Sequence, residues 1–250
     1  MDGHMKTFAF IPARYQSTRF PGKPLAPIAG KSMIQCVYER ALSCPELEEV
    51  YVATDDERIS ACLRGFGGKV VMTGKEHRSG TDRISEAART VGLEDNDLIV
   101  NIQGDQPLFH PSIVSQLVRP LEEDPSIPMA TLKCRIRDGE DMGNPNHVKV
   151  VTDNKGFAIY FSRHPVPFNR DGETGKVYYK HLGFYAYRMD FLQEFTRLPE
   201  GVLESAEKLE QLRALEHGFK IKVSETTFDS IEVDVPDDIK KVEELLHKGK

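Results

Sequence analysis

The 250-residue chain has no tryptophan, only four cysteines, and fewer basic residues (33) than acidic ones (39), for a formal net charge of -6. The acidic balance excludes a dedicated nucleic-acid binder, which shows a basic surface. Cys36, Cys44, Cys62 and Cys134 form no CxxC pair. They read as buried, reduced thiols of a cytoplasmic protein. No HxxxH or HExxH spacing occurs among the eight histidines, so a zinc site has no support. No stretch reaches the ~18 apolar residues of a membrane span, and the apolar run near the start is too short for a secretory signal. Met1–His4 reads as a cloning remnant and is left out of fold reasoning, leaving residues 6–250 as one domain.

What the chain does have is alternation. Thr7–Ile11, Val50–Ala53, Lys69–Met72 and Leu98–Ile102 are short apolar runs that read as buried strands. Between and after them, Ser32–Ser43, Asp56–Phe66, Thr81–Val91 and roughly Pro111–Glu122 carry helical periodicity, two of them ending at glycine. Strand–helix alternation predicts an α/β fold, a mostly parallel sheet with helices on both faces. Right-handed crossovers then bring the strand-to-helix loops to one edge, where such sheets bind ligands. The second half differs. Met129–Ile136, Val148–Thr152, Phe157–Phe161 and Leu182–Arg188 read as strands, several with no helix between, which predicts an inserted β-rich region. Asn169–Gly175 reads as a polar loop, Glu204–His217 as one long helix, and Asp237–His247 as the last.

Three stretches fall on the expected ligand edge. "IPARYQSTRFPGKPL" follows the first strand and sets Arg14, Arg19 and Lys23 in one loop. Three cations there suit a polyphosphate; the alternative is a solvated loop paired with nearby acids. "IAGKS" ends like a P-loop, but Leu25 stands where the first glycine is needed, and no GxGxxG follows a strand. "VNIQGDQPL" sets Asp105 just past a buried strand, beside Gly104, as a ligand for a hard cation or as a turn former. "IEVDVPDD" repeats the theme with Asp234, taken to end a strand, and with Asp237 as the cap of the following helix. "HRSGTDRI" offers Arg78 and Ser79 at a helix start, as ligand donors or plain caps. Farther on, Arg163 has the planar fork that suits a carboxylate, while His181 and Tyr185 read as core or pocket wall. Glu207 and Glu210 are spaced to pair with Arg213 on a helix, and Gln211 adjoins them.

Taken together, "IPARYQSTRFPGKPL", "ATDDERI", "SGTDR", "VNIQGDQP", "NPNHVKVV", "AIYFSR", "KHLGFYAYR", "LEQLRALEHG" and "VDVPDD" resemble, in order from Lys6 to Leu246, the 3-deoxy-manno-octulosonate (Kdo) cytidylyltransferases, or CMP-Kdo synthetases. The resemblance implies a nucleotidyltransferase-type, Rossmann-like fold and a homodimer in the cytoplasm. It implies Mg2+-dependent transfer from CTP to Kdo, giving CMP-Kdo and pyrophosphate for lipopolysaccharide biosynthesis. By position it implies Arg14 and Lys23 on the triphosphate, and Arg78, Ser79 and Gln103 on the nucleotide. It further implies Asp105 and Asp234 on the metal, and Arg163, His181, Tyr185, Glu210 and Gln211 around the sugar acid. Catalysis then falls to Arg14, Lys23, Asp105 and Asp234, with no protein nucleophile. Two positions depart from the commonest pattern: Gln106 stands where Glu is frequent and Val235 where Thr is frequent. "FNRDGETGKVYY" lies in a segment that varies within the family, so 8-amino-Kdo, another keto acid such as a sialic acid, or a nucleotide-binding module without the chemistry stay open.

Overall fold

The structure, a computed structural model, describes residues 5–16, 20–136, 142–172 and 177–248. Arg19, part of the Asn169–Gly175 loop and Met1–His4 lie outside the described residues. In chain order the elements are β1 (Thr7–Ala13), a 3-10 turn (Lys23–Leu25), β2 (Pro27–Ile28), β3 (Lys31–Ser32), α1 (Met33–Leu42), β4 (Glu49–Thr54), α2 (Glu57–Gly65), β5 (Val70–Met72), α3 (Gly80–Val91), β6 (Leu98–Asn101) and α4 (Ile113–Glu123). Then come β7 (Met129–Arg135), β8 (Lys149–Thr152), β9 (Ala158–Ser162), β10 (Tyr179–Arg188), α5 (Met189–Phe195), α6 (Val202–Glu207), α7 (Leu212–Glu216), β11 (Ile221–Thr226) and α8 (Asp238–Lys248).

One sheet runs in the order β11-β7-β10-β6-β1-β4-β5, with the β8–β9 hairpin attached to β10. β1 pairs in parallel with β4 and β6, and β4 with β5. β10 enters antiparallel between β6 and β7, and β11 joins β7 in parallel. The expected change of character in the second half is this antiparallel insertion. Period-2 alternation explains the unbroken apolar runs: Ala9 and Ile11 of β1 face a core with α1, α2 and α4, while Phe8 and Phe10 face a second core with α3, α5 and α7.

Local signals hold at the helix starts. Ser32 caps α1 by accepting from Gln35 N, Asp56 caps α2, and Ser79 forms a reciprocal capping box with Asp82 on α3. The single helix expected over Glu204–His217 is two, because Lys208 is left-handed (φ 53°) and breaks it. The break turns Leu209 and Leu212 into the second core. Of the two pairs expected for Arg213, Glu210 is met at 3.8 Å, while Glu207, six residues away, lies off its helical face and does not pair with it. Arg213 instead bonds Glu204 at 2.6 and 2.7 Å. α5, β11 and the short β2–β3 pair were not anticipated.

A third, small core matters most for the site. Ala26, Ile28 and Met33 pack against Val233 and Val242, stapling the segment before α8 to the turn after β1. Burying a valine of this kind contributes about 1.5–3 kcal/mol. Among the described residues no helix is long and apolar enough to cross a membrane.

Candidate active site

The turn after β1 is built to hold one side chain. Gly22 is left-handed (φ 73°), and a Cβ there would meet the Tyr15 ring at 3.2 Å, so glycine is required on both counts. Gly22 N donates to Tyr15 O at 2.9 Å, and the Arg58 guanidinium covers the Tyr15 ring, 3.2 Å from its centroid. Next in the chain, Lys23 projects its ammonium to Asp105 Oδ2 (2.6 Å), the Val233 carbonyl (3.0 Å) and Asp234 Oδ1 (3.9 Å).

Asp105 sits just beyond β6, after Gly104. A Cβ on Gly104 would lie 3.1 Å from the Pro12 carbonyl, so the loop after β6 comes this close to the end of β1 only because no side chain intervenes. Asp234 arrives from far along the chain, held by Val233 N donating to Asp105 O (2.9 Å). Its own amide donates to Asp238 Oδ2 (3.0 Å), as does that of Val235 (3.1 Å). The expectation that Asp234 ends a strand is corrected: residues 231–234 are irregular, fixed by this bridge and by the third core rather than by a ladder. Asp238, not Asp237, receives the backbone amides at the start of α8, while Asp237 bonds Lys240 on the surface.

Sequence reasoning missed Glu232. Burial, then the charges of Asp105 and Asp234, push its carboxyl up to about 7. Part of its side chain reaches solvent while its carboxyl lies against the protein, where it accepts from Gln106 Nε2 at 3.0 Å. The signal was present: alternation in Ile231-Glu232-Val233-Asp234 puts both valine-side residues in the third core and both acids on the other side.

Beside this cluster lies a polar cleft of about 580 Å³, lined by Arg14, Asp55, Asp56, Lys75, His77 and Arg83. Arg14 Nη1 donates to Arg78 O (3.3 Å), while its Nη2 is buried with no partner among the described residues. Arg83 is 1% exposed, tied to Asp55 at 3.3 Å, and its Nε also lacks a partner. Donors so placed suit an anion. Ser79 and Arg78 border a second cleft of about 500 Å³ with Asp82, Glu204, Glu210 and Arg213. Ser79 is therefore both a helix cap and a cleft residue.

The expected sugar-site residues divide. Thr81 Oγ1 donates to Glu210, whose carboxyl burial pushes up. Tyr185 is raised well above the ordinary range, first by burial and then by the Glu210 charge; its ring lies 5.4 Å from that of His181. Gln211 is buried, and its Nε2 has no protein partner. Gln103 Nε2 donates to the carbonyl of Gly183 (2.8 Å), at the bulge of β10 between His181 and Tyr185, and so links the two regions. Arg163 does not join them. Its guanidinium is engaged by the carbonyls of Glu207 (2.7 Å), Pro145 (2.8 Å) and Lys208 (3.3 Å). It closes the carboxyl end of α6, whose last carbonyls have no helical partner.

A twisted, mostly parallel sheet with cations and two acids on its ligand edge defines a nucleotide-using α/β enzyme, a nucleotidyltransferase. The cytidylyltransferase family model matches residues 8–222, and the chain belongs to that family. It is 56% identical over 243 residues to the 8-amino-3,8-dideoxy-manno-octulosonate cytidylyltransferase of Shewanella baltica strain OS155, covering 97% of this chain and 99% of the relative. It is 57% identical, over the same shares, to the enzyme of that name from Shewanella halifaxensis. A CMP:2-keto-3-deoxy-manno-octonic acid synthetase solved with CTP superposes with a TM-score of 0.91 at 44% identity, covering 98% of this chain and all of the other. A cytidylyltransferase from Leptospira borgpetersenii shares the fold (TM-score 0.64, 17% identity, 98% of this chain and 88% of the other).

Proposed function

We propose that this chain transfers the cytidylyl group of CTP to 8-amino-3,8-dideoxy-manno-octulosonate, releasing pyrophosphate, as a Mg2+-dependent cytoplasmic homodimer that supplies lipopolysaccharide biosynthesis. The observation that carries the chemistry is the meeting of Lys23, Asp105 and Asp234 on the ligand edge. Relatives at 56–57% identity carry the amino substrate in their names, and they favour it over plain Kdo, which the sequence reading put first. Plain Kdo remains the second reading, favoured by the 44% identical synthetase.

The residues fit a hard divalent ion. Two carboxylates already converge on one cationic centre, Lys23 Nζ, with a carbonyl beside it. Among the described residues no three His, Cys, Asp or Glu side chains form a metal cage; a Mg2+ ion takes one or two carboxylates together with phosphate oxygens. Mg2+ held by Asp105 and Asp234 supplies charge neutralisation at the phosphates. Arg14 and Lys23 bind the triphosphate, Arg78, Ser79 and Gln103 orient the nucleotide, and His181, Tyr185, Glu210 and Gln211 surround the sugar acid. Arg163 acts on that pocket by holding the turn between α6 and α7. The sugar hydroxyl attacks the α-phosphorus as pyrophosphate departs, so the protein's work is positioning and electrostatic stabilisation.

Pyrophosphate release from CTP, measured with Kdo and with its 8-amino analogue, tests the reading. We expect the larger kcat/KM with the amino sugar. A preference for Kdo overturns the substrate assignment, and no release with any sugar acid returns the chain to a nucleotide-binding module.

A further inference from the structure

The ammonium of Lys23 stands where the two acids assigned to the metal converge. It donates to Asp105 Oδ2 at 2.6 Å and Val233 O at 3.0 Å, with Asp234 Oδ1 at 3.9 Å. These are oxygen partners of the kind a hard cation takes. A divalent ion on the same oxygens and an ammonium in their midst repel each other, so the two occupy this position in turn. The backbone beneath Lys23 is not the part that moves. Gly22 N is bonded to Tyr15 O, Leu25 N to Gly22 O (2.9 Å), and Pro24 is buried. What can move is a flexible four-carbon stem with a point charge at its end.

We propose that Lys23 is a place-holder: its ammonium keeps the Asp105–Asp234 pair occupied until a nucleoside triphosphate draws it away, so that the divalent cation enters with the nucleotide and not before it. This rests on the metal and triphosphate assignments above. Departure of the ammonium removes the cation 2.6 Å from Asp105 and lowers the positive charge beside Asp234. That is the state with high affinity for a divalent ion. The same coupling works in reverse, the cation tightening nucleotide binding by the factor by which the nucleotide tightens the cation. The device keeps the acids from trapping a cation when there is no phosphate to transfer.

The test is Mn2+ binding to the whole chain, read by the electron paramagnetic resonance of the free ion, with and without CTP and against CTP alone. For the wild type we expect weak binding that CTP tightens by about 10–100-fold. Lys23→Met, without nucleotide, is expected to bind Mn2+ at least about 10-fold tighter than wild type and to lose most of the CTP effect. Lys23→Arg, which keeps the charge, is expected to resemble wild type. Lys23→Gln is the second neutral variant should methionine disturb the turn, and thermal unfolding checks each fold. Neutral variants that fold and bind Mn2+ no tighter than wild type overturn the proposal. The metal assignment is tested apart from it: Asp105→Asn that leaves Mn2+ affinity unchanged in the CTP complex removes that assignment, whatever Lys23 does.

Discussion

At the scale of single residues, Asp105 carries the sharpest expectation. Its carboxylate is one of two oxygen donors that meet Lys23, and an amide is a poor partner for a hard cation. Asp105→Asn is expected to lower pyrophosphate release by ~10²–10⁴. Near wild-type turnover at limiting Mg2+ would remove Asp105 from the site. His181 predicts a pH effect. Burial holds its imidazole down to about 3, against an ordinary value near 6.5. Thr131 Oγ1 donates to Phe184 O (2.7 Å), so His181 Nε2 is the donor across the 2.9 Å contact with Thr131, and the ring stays neutral. Between those two values the unfolded chain binds a proton that the fold refuses. The contribution of His181 is therefore whole above pH 6.5 and is lost as pH falls toward 3. Glu232 works in the opposite sense: its raised carboxyl favours the fold below its ordinary value of 4.5, and that contribution is lost as pH rises to about 7. The difference between wild type and His181→Gln isolates the histidine. Urea unfolding at pH 7 and pH 5 is expected to show that difference changing by about 2 kcal/mol against the wild type at the lower pH; a constant difference means that His181 titrates normally. Side chains on the ligand edge were the part of the site legible in the sequence, because strand ends and turn residues mark that edge. Arg163 was not, since its guanidinium answers to carbonyls freed by a helix break that no local pattern announces.

At the scale of elements, the site depends on how closely the loop after β6 approaches the end of β1. Gly104→Ala puts a methyl 3.1 Å from the Pro12 carbonyl, which is backbone and has no rotamer to escape into. The loop after β6, which carries Asp105, must shift from the end of β1 by a few tenths of an ångström. We expect a stability loss of about 1–3 kcal/mol, beside a fall in kcat/KM that stays below the roughly 10²-fold of a full 1 Å misplacement. Steady-state kinetics and thermal unfolding on one preparation separate the two. Kinetics that change no more than stability would show that the loop tolerates the shift. The same scale shows where sequence reading stops. β1, β4 and β6 were legible as apolar runs, and α1, α2 and α3 because apolar period agrees with a cap in each and with a following glycine in α2 and α3. α5 follows β10 with no loop between, and β11 follows a glycine that reads only as a helix stop, so neither is set off by punctuation. The Glu204–His217 pattern is helical throughout; tertiary packing of Leu209 and the Arg163 cap overrides it at Lys208.

At the scale of the whole molecule, the sheet is asymmetric. The parallel part, β6-β1-β4-β5, carries helices on both faces, and the loops after β1 and β6 bear Lys23 and Asp105, while the antiparallel β10 bears His181 and Tyr185, which we propose for the sugar. Apolar exposure follows the same division. Among the described residues, Ile159 (60%), Phe168 (83%) and Val202 (80%) stand out in the second half, against Leu42 (58%) in the first. Single exposed apolar side chains need no explanation, but several on neighbouring elements do. The family resemblance implies a homodimer, and these exposed apolar side chains are the positions at which its interface is tested. Sedimentation velocity is then expected to give twice 28.2 kDa for the wild type, and an Ile159→Asp, Val202→Asp double variant is expected to run near 28.2 kDa. Both positions are exposed in the single chain, so the variant's fold should survive within about 0.5 kcal/mol per site of that of an isolated wild-type chain. A wild type that sediments as a monomer excludes the dimer. A double variant that stays dimeric places the interface elsewhere, and the Lys23–Asp105–Asp234 chemistry, which needs no residue from a second chain among those assigned here, is untouched by either result.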